Sequence, residues 1–441
     1  VTHLAEDTDV LVVGGGTAGH IAALQAARLG ARTVLLESGS MLGGVATAGG
    51  VCAPAYFWSR KRQIIAGIGW ELTTRSIELD SGVLPNFSNP PSHRPSYHVL
   101  INPSTYALVA EEACLAAGVT LLYHETAVAA VPRADGPGWE VTAIGRGIER
   151  TLRCRELIDA SGGAQLAAGL GFPMERDAET QPGTLIFHLT GYDLSLLDAE
   201  TIERRYQSAL AEGLLEPGDF CYAKKPFIDF LKSGGSNQQH IFGADDSTSA
   251  GQTDADIRGR ASLLRLLRFV RSLPGCEAAR IGSMRPSTAV RETDRIVGET
   301  RITIEDYLAG RVYPDAVAWT LYFVDIHNHE GTHHEFLHED TVPTIPHGAL
   351  IPKGSRHLQA VGRCISSDRK AHSALRVQAS CMAMGQAAGA AAALGVQQGR
   401  ASRDVPIDVL RHVLRAQGAL VPEVNAAPAV PAAPCPGTRA G

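Results

Sequence analysis

Residues 10–37 read VLVVGGGTAGHIAALQAARLGARTVLLE. Four apolar residues lead into a glycine-rich turn. Apolar positions then recur at helical spacing, and a second apolar run ends on Glu37. Continuous short apolar runs are the mark of strands buried on both faces, so this stretch predicts strand, turn, helix and parallel strand. Residues 103–117 predict a helix that Ser104 caps and Gly118 stops. VTLLYHE follows as a strand. Three short strand patterns at 126–131, 139–144 and 151–154 predict a β-meander. ELIDASGG, 156–163, predicts a buried strand ending in glycines. Beyond 173 the apolar runs shorten, and one amphipathic helix stands out at 254–273, with Leu263, Leu264, Leu267 and Phe269/Val270 on one side. From 358 to 395 the first pattern returns as a strand, a loop and a long Ala/Gly helix.

This order predicts an α/β fold. A Rossmann-like domain of parallel sheet plus β-meander is discontinuous, with a mixed α+β substrate domain inserted in it. The expected parts are 1–172 and 346–423 for the first domain and 173–345 for the insert. A Pro/Ala-rich disordered tail is expected over 424–441.

At 441 residues the chain has room for two domains. A net charge of −6 argues against nucleic acid, which demands a basic face, and against an anionic membrane surface. The apolar stretch at 383–396 is too short to span a bilayer, and VTHLAEDTDV shows no basic segment before an apolar run, so no signal peptide is visible. Eight cysteines without a CxxC point to a reducing, cytoplasmic compartment.

Gly14, Gly16 and Gly19 fit GxGxxG after a strand and before a helix, with Glu37 18 residues past Gly19. The first glycine permits the tight turn and the second lets backbone approach a pyrophosphate. The third packs helix on sheet, and the acid can accept ribose hydroxyls. The helix N-terminus adds its dipole. No arginine beside Glu37 is placed to receive a 2′-phosphate. A nicotinamide dinucleotide, a flavin dinucleotide and a purely structural turn remain to be separated. Gly43–Gly44 just after the acid, LIDASGG, and the segment before the last helix offer further backbone approaches, which the longer FAD needs.

Taken together, VVGGGTAGHIAALQAARLGARTVLLE, LGGVATAGGV, IDASGG, RETDRIVGE, DIHNHEG, IPKG and GRCISSDRKAHSALRVQASCMAMGQAAGAAAAL resemble the bacterial FAD-dependent oxidoreductases of the glutathione-reductase-like (GR2-type) fold. The resemblance covers most of 8–172 and 280–396. It implies that Gly14, Gly16, Gly19, Glu37, Gly43 and Gly44 hold the AMP and pyrophosphate of FAD. Val128 would lie by the adenine and Gly162 near the pyrophosphate. Gly362, Arg363, Arg376 and Val377 would lie by the flavin. Two departures stand out. The family's DATGDGD is DASGGAQ here, and its THEA is replaced by Asp368, Arg369, Lys370 and Ala371.

No second GxGxxG–acid unit and no CxxC are visible, which leaves oxidation of a small molecule with electrons passed to O₂ or a carrier. Such an enzyme needs a proton acceptor. DIHNHEGTHHEFLH holds five histidines, of which His327 is the candidate base. His329/His333 and His334/His338 are spaced for a metal on a helix face, and an exposed polar loop is the plain alternative. His372, just before the last helix, is a second candidate base, with a helix-cap contact as its plain alternative. Arg291 and Arg295 can anchor a carboxylate, unless Glu292, Asp294 or Glu299 neutralises them. Cys52 is a candidate for a covalent flavin link or a buried small residue. GQAAG at 385–389 fits close helix packing in a folded core better than a membrane dimer. A homodimer is compatible with the sequence. A catalytically degenerate flavin-binding scaffold and a flavin-dependent tRNA-modifying relative are the alternative functions.

Overall fold

The computed structural model describes residues 1–87, 98–222, 225–338 and 340–423. The expected tail from 424, with Cys435, lies outside the described residues. The central element is a five-stranded sheet in the order Leu358–Ala360, Glu156–Asp159, Val10–Val13, Thr33–Glu37, Thr120–Tyr123. All its pairings are parallel. The strand Val10–Val13 sits in the middle and is buried on both faces, which is why it is apolar throughout. Leu358–Ala360, which comes after the inserted part, pairs beside Glu156–Asp159, so the first domain is discontinuous.

Two helices pack on this sheet, Gly19–Arg28 and Gln378–Gln398. Their contact depends on missing side chains. A Cβ on Gly385 would stand 2.1 Å from the Ala18 carbonyl oxygen, and one on Gly389 would stand 2.2 Å from that of Ala22. The GQAAG glycines therefore serve helix packing. Gln378–Gln398 is long and apolar enough by composition to cross a membrane, and here it is buried in the core.

The meander is present as Glu125–Pro132, Trp139–Gly145 and Ile148–Cys154, antiparallel throughout. A fourth strand, Thr2–Asp7, adds parallel to its edge. Its side chains are almost all exposed, so no hydrophobic pattern announced it. The helix Pro103–Ala116 is capped by Asn102, whose side chain accepts from the Ser104 N–H at 3.0 Å, with Pro103 as the first helical residue. Ser104 is not the cap.

The inserted part has its own small antiparallel sheet, Gly235–Ser236, Phe187–Thr190 and Arg280–Met284, and its own apolar core between Leu185 and Ala279. The amphipathic helix runs Ser249–Ser272. It buries Leu263, Leu266, Phe269 and Val270, whereas Leu264 is 45% exposed. A straight helix turns 100° per residue, so Leu264, two residues before the buried Leu266, falls nearly opposite it and off the buried stripe, and Leu267 is only half-buried. Tyr307, Val317, Ile345 and Leu350, further along, join the core of the first part.

Candidate functional site

A cleft of ≈ 930 Å³ runs from the glycine turn to the segment 322–327. At the turn end the three glycines do different work. Gly14 has φ +101°, and a Cβ there would meet the Ala160 carbonyl oxygen at 2.4 Å. A Cβ on Gly19 would lie 1.8 Å from the Gly14 oxygen. Gly16 meets nothing within 4 Å and faces the cleft. Protein packing explains the first two. The third has no such packing reason, and its open side leaves room in the cleft.

The Glu37 carboxylate lines the cleft and is oriented by backbone amides. It accepts from Gly15 N–H at 2.7 Å and from Gly39 N–H at 2.6 Å. Gly43 does not line the cleft. It has φ +101°, donates its N–H to the Gly15 oxygen at 2.8 Å, and its missing Cβ makes room for Thr47. Gly44 lies over Gly16, where a Cβ would come within 2.9 Å of the Gly16 Cα. Val128 is at the break in strand register between Ala127 and Ala129, and it is 55% exposed on the cleft wall. Behind the turn stands a strut that sequence reasoning missed. The His20 Nδ1–H donates to the Gly16 carbonyl at 2.7 Å, and Nε2 accepts from the Tyr106 hydroxyl at 3.0 Å. Burial pushes the His20 imidazole down to about 4, so it is neutral.

Gly162, Gly362, Arg363, Arg376 and Val377 all line the middle and far end. Arg363 is fully engaged: Nε donates to Gly162 O at 3.1 Å, Nη1 to Val290 O at 2.8 Å, and Nη2 to Asp246 Oδ2 at 2.6 Å. It ties the first part to the insert. Arg376 is poorly satisfied. Nη2 has long contacts to Asp325 O at 3.4 Å and Oδ2 at 3.3 Å, and Nε is buried without a partner. Gln378 Oε1, at the start of the long helix, is also buried and unpartnered. Orphaned polar groups facing a cleft call for a polar ligand.

The histidine segment is a β-hairpin, Val324–Asn328 with Gly331–Glu335, in the register Asp325↔His334, Ile326↔His333, His327↔Thr332. It is neither the helix that the metal spacing required nor a loop. Strand alternation puts Asp325 and His327 on one face. Among the described residues no three His, Cys, Asp or Glu side chains converge on a metal position. His327 is the buried histidine of the five and lines the cleft. Its Nε2 lies 3.2 Å from Asp325 Oδ2, and its Nδ1 lies 2.8 Å from His240 Nε2. With Asp325 ionised, His327 carries its hydrogen on Nε2, and the His240 Nε2–H donates to Nδ1. Gln181 Oε1 accepts the His327 backbone N–H at 3.0 Å. Burial and then the Arg291 charge push His327 down to about 4, against the pull of Asp325. Burial opposes ionisation of Asp325. The hydrogen bonds from His327 and His334 outweigh it and hold the carboxyl well below the usual range.

Arg291 is buried and lines the same cleft. Nη1 donates to Pro182 O at 2.5 Å and Thr184 Oγ1 at 2.9 Å, and Nη2 reaches Asn237 Oδ1 at 3.4 Å. None of the acidic neighbours expected to neutralise it does so. Glu292 instead accepts from Gln181 and Arg369, Asp294 faces Arg176, and Glu299 faces Arg403.

His372 does not line the cleft. It is fully buried, donates from Nε2 to Arg363 O at 2.6 Å, and turns Nδ1 toward Glu292 Oε2 at 3.7 Å. Cys52 is a free thiol outside the lining, between Val51 and Ala53, which do line it. Asp325 and His240 were missed by sequence reasoning. Strand spacing inside DIH could have found Asp325, whereas nothing in NQQHIF marks His240.

Residues 9–414 match the family described as FAD dependent oxidoreductase. No curated protein matches the chain. OxyS anhydrotetracycline hydroxylase from Streptomyces rimosus is 17% identical, with TM-score 0.30, over 42% of this chain and 38% of its own length. A geranylgeranyl bacteriochlorophyll reductase-like protein from Thermoplasma acidophilum is 13% identical, with TM-score 0.44, over 94% and 84%. The p-nitrophenol 4-monooxygenase PnpA from Pseudomonas putida DLL-E4 is 13% identical, with TM-score 0.42, over 91% and 83%. TM-scores this low carry no argument about substrate or mechanism.

Proposed function

The chain belongs to the FAD dependent oxidoreductase family, and from that premise we propose that it oxidises a small organic molecule, at an alcohol, an amine or a C–C single bond. The observation that carries this reading is the conjunction of two ends in one cleft. Gly16 leaves an open face for a pyrophosphate, and Arg291, Asp325 and His327 gather at the other end.

The residues present fit FAD. Gly14, Gly16 and Glu37 would hold its AMP and pyrophosphate, with Gly19, which does not line the cleft, packing the helix behind the turn, Gly44 over Gly16 and Gly43 shaping the turn that puts it there. Val128 would face the adenine. Gly162, Gly362, Arg363, Arg376 and Val377 would line the flavin half, where the orphaned Arg376 Nε and Gln378 Oε1 would find partners. When bound, FAD supplies the hydride acceptor, its N5, and passes the electrons on to O₂ or a carrier. The chain's own part is to orient the substrate C–H and to take the proton. The Asp325–His327 pair receives that proton as one coupled unit. His240 and His334 hold the pair in place, and Arg376 balances the carboxylate. His372 acts at one remove, fixing the Arg363 carbonyl from behind. The division into 1–172 and 346–423 around an insert at 173–345 belongs to this proposal, with substrate held where the parts meet.

The test is direct. The purified protein is examined by visible spectroscopy, then acid-precipitated. A flavin spectrum whose colour stays in the supernatant is expected, followed by bleaching under anaerobic conditions with a substrate. Colour retained in the pellet would mean a covalent link and return attention to Cys52. A colourless protein that FAD does not reconstitute sinks the reading. A flavoprotein that no substrate bleaches would be a scaffold.

A further inference from the structure

We infer that the substrate taken at the far end of the cleft is a monovalent carboxylate, held by the Arg291 guanidinium. The inference rests on the reading of this cleft as the oxidation site, and it names the substrate class.

The argument is one of charge and unsatisfied donors. Most charged groups lining the cleft are already partnered: Arg363 with Asp246, Glu125 with Arg150, and Glu37 with two backbone amides. Arg291 is the exception. It is 8% exposed, and its three hydrogen-bond acceptors are a carbonyl, a hydroxyl and an amide, none of them charged. No carboxylate of the described residues forms an ion pair with it. A buried guanidinium without a counter-ion is costly unless a ligand supplies one. Burial and the neighbouring Arg376 charge lower it to about 10, which leaves it cationic at neutral pH.

The count of charges selects the ligand. Arg291 and Arg376 are positive and Asp325 is negative, while His327 and His240 are neutral at pH 7, lowered to about 4 and about 2. The end of the cleft therefore carries one uncompensated positive charge. A carboxylate neutralises it. A phosphate dianion would leave a buried negative charge beside Asp325. The geometry agrees. Nη1 of Arg291 is committed to Pro182 and Thr184, while Nη2 makes only its 3.4 Å contact with Asn237. The planar fork is thus anchored on one side and presents donors on the other, as carboxylate recognition requires. A carboxylate clamped there would fix the neighbouring substrate carbon against the Asp325–His327 pair.

The experiment uses the FAD-loaded protein. Acetate, benzoate and pyruvate are titrated against acetamide, benzamide and inorganic phosphate, and binding is read from the flavin difference spectrum and by calorimetry. At least one carboxylate is expected to bind about tenfold or more tighter than its amide and tighter than phosphate. In Arg291→Gln that preference is expected to vanish while the flavin content stays the same. Arg291→Lys, which keeps the charge and loses the fork, is expected to retain a weakened preference. Equal binding of acid and amide overturns the inference, as does tighter phosphate, no binding by any probe, or a preference that survives Arg291→Gln. Each of these leaves the flavin reading standing. A protein that takes up no FAD overturns that reading instead, and the carboxylate preference is then read on the apoprotein by calorimetry.

Discussion

The two ends of the cleft are built by opposite means. The turn end is made of backbone: Gly14, Gly16 and Gly19 lie within six residues, and Gly43 and Gly44 reach them through main-chain contacts. The far end is made of side chains from distant places. Arg291, Asp325 and Arg376 span 85 positions, and His240 adds a fourth segment of chain. One end needs residues that are absent in bulk, the other residues that carry charge. A site of the first kind shows its purpose through what would collide. A site of the second kind shows it through what is left unpaired.

The sharpest way to break this comparison is at the glycines. Gly19→Val is expected to abolish the folded protein, because its side chain would overlap the Gly14 carbonyl and overpacking against backbone has nowhere to relax. Gly16→Ala should change stability by no more than about 0.5 kcal/mol, yet lower bound flavin at least about tenfold. Thermal unfolding and flavin per chain separate the two. If Gly16→Ala keeps its flavin, the open face of Gly16 is not a ligand surface.

At the far end, His327→Gln is expected to slow anaerobic flavin reduction by roughly 10²–10⁴-fold with flavin content unchanged. Stopped-flow reduction reads this, and a rate within about twofold of the parent removes His327 from the proton path.

Acid should reach both ends together. His20 and His327 are buried neutral, each lowered from 6.5 to about 4. Below pH 6.5 the unfolded chain takes up protons that the folded chain refuses. Stability is therefore full above 6.5 and is lost as pH falls toward 4. The loss is about 1.4 kcal/mol for each pH unit between the two values, per histidine. His20→Asn should flatten that slope, as measured by denaturant unfolding across pH 4–7. An unchanged slope would mean that His20 is not neutral in the fold.

The smallest effects concern the helix Ser249–Ser272. Leu266→Ala should cost about 2–5 kcal/mol, and Leu264→Ala within about 0.5 kcal/mol. The reverse order would place the other face inward. Cys52→Ser should leave flavin retention unchanged.

Much of the fold was legible. The strands at 10–13, 33–37, 156–159 and 358–360 are short, largely apolar and buried because both faces of the sheet are covered there, and 120–123 is the half-exposed edge. The discontinuous first domain followed from the return of that pattern after 358. The edge strand Thr2–Asp7 was not legible, since its stability lies in main-chain pairing with Ile148–Cys154 and not in apolar burial. Asn102 and Ser104 are both capping residue types, and Asn102 caps because the helix starts at Pro103, ahead of Ser104. The histidine run was ambiguous for a similar reason. Its spacing fits a helix face, whereas β-pairing of Asp325 with His334 makes a hairpin.

The sequence by itself determined the first strand–turn–helix–strand unit, its glycine turn and the position of Glu37, because these depend on steric rules that act within one short stretch of chain. Only the tertiary structure decided which charges are spent and which are free. Arg291 stands next to Glu292 in the chain, yet Glu292 turns to Gln181, Arg369 and His372, and Arg291 is left facing the cleft. Neighbours in sequence thus find different partners, and the pairing of each charge is settled by what folds against it.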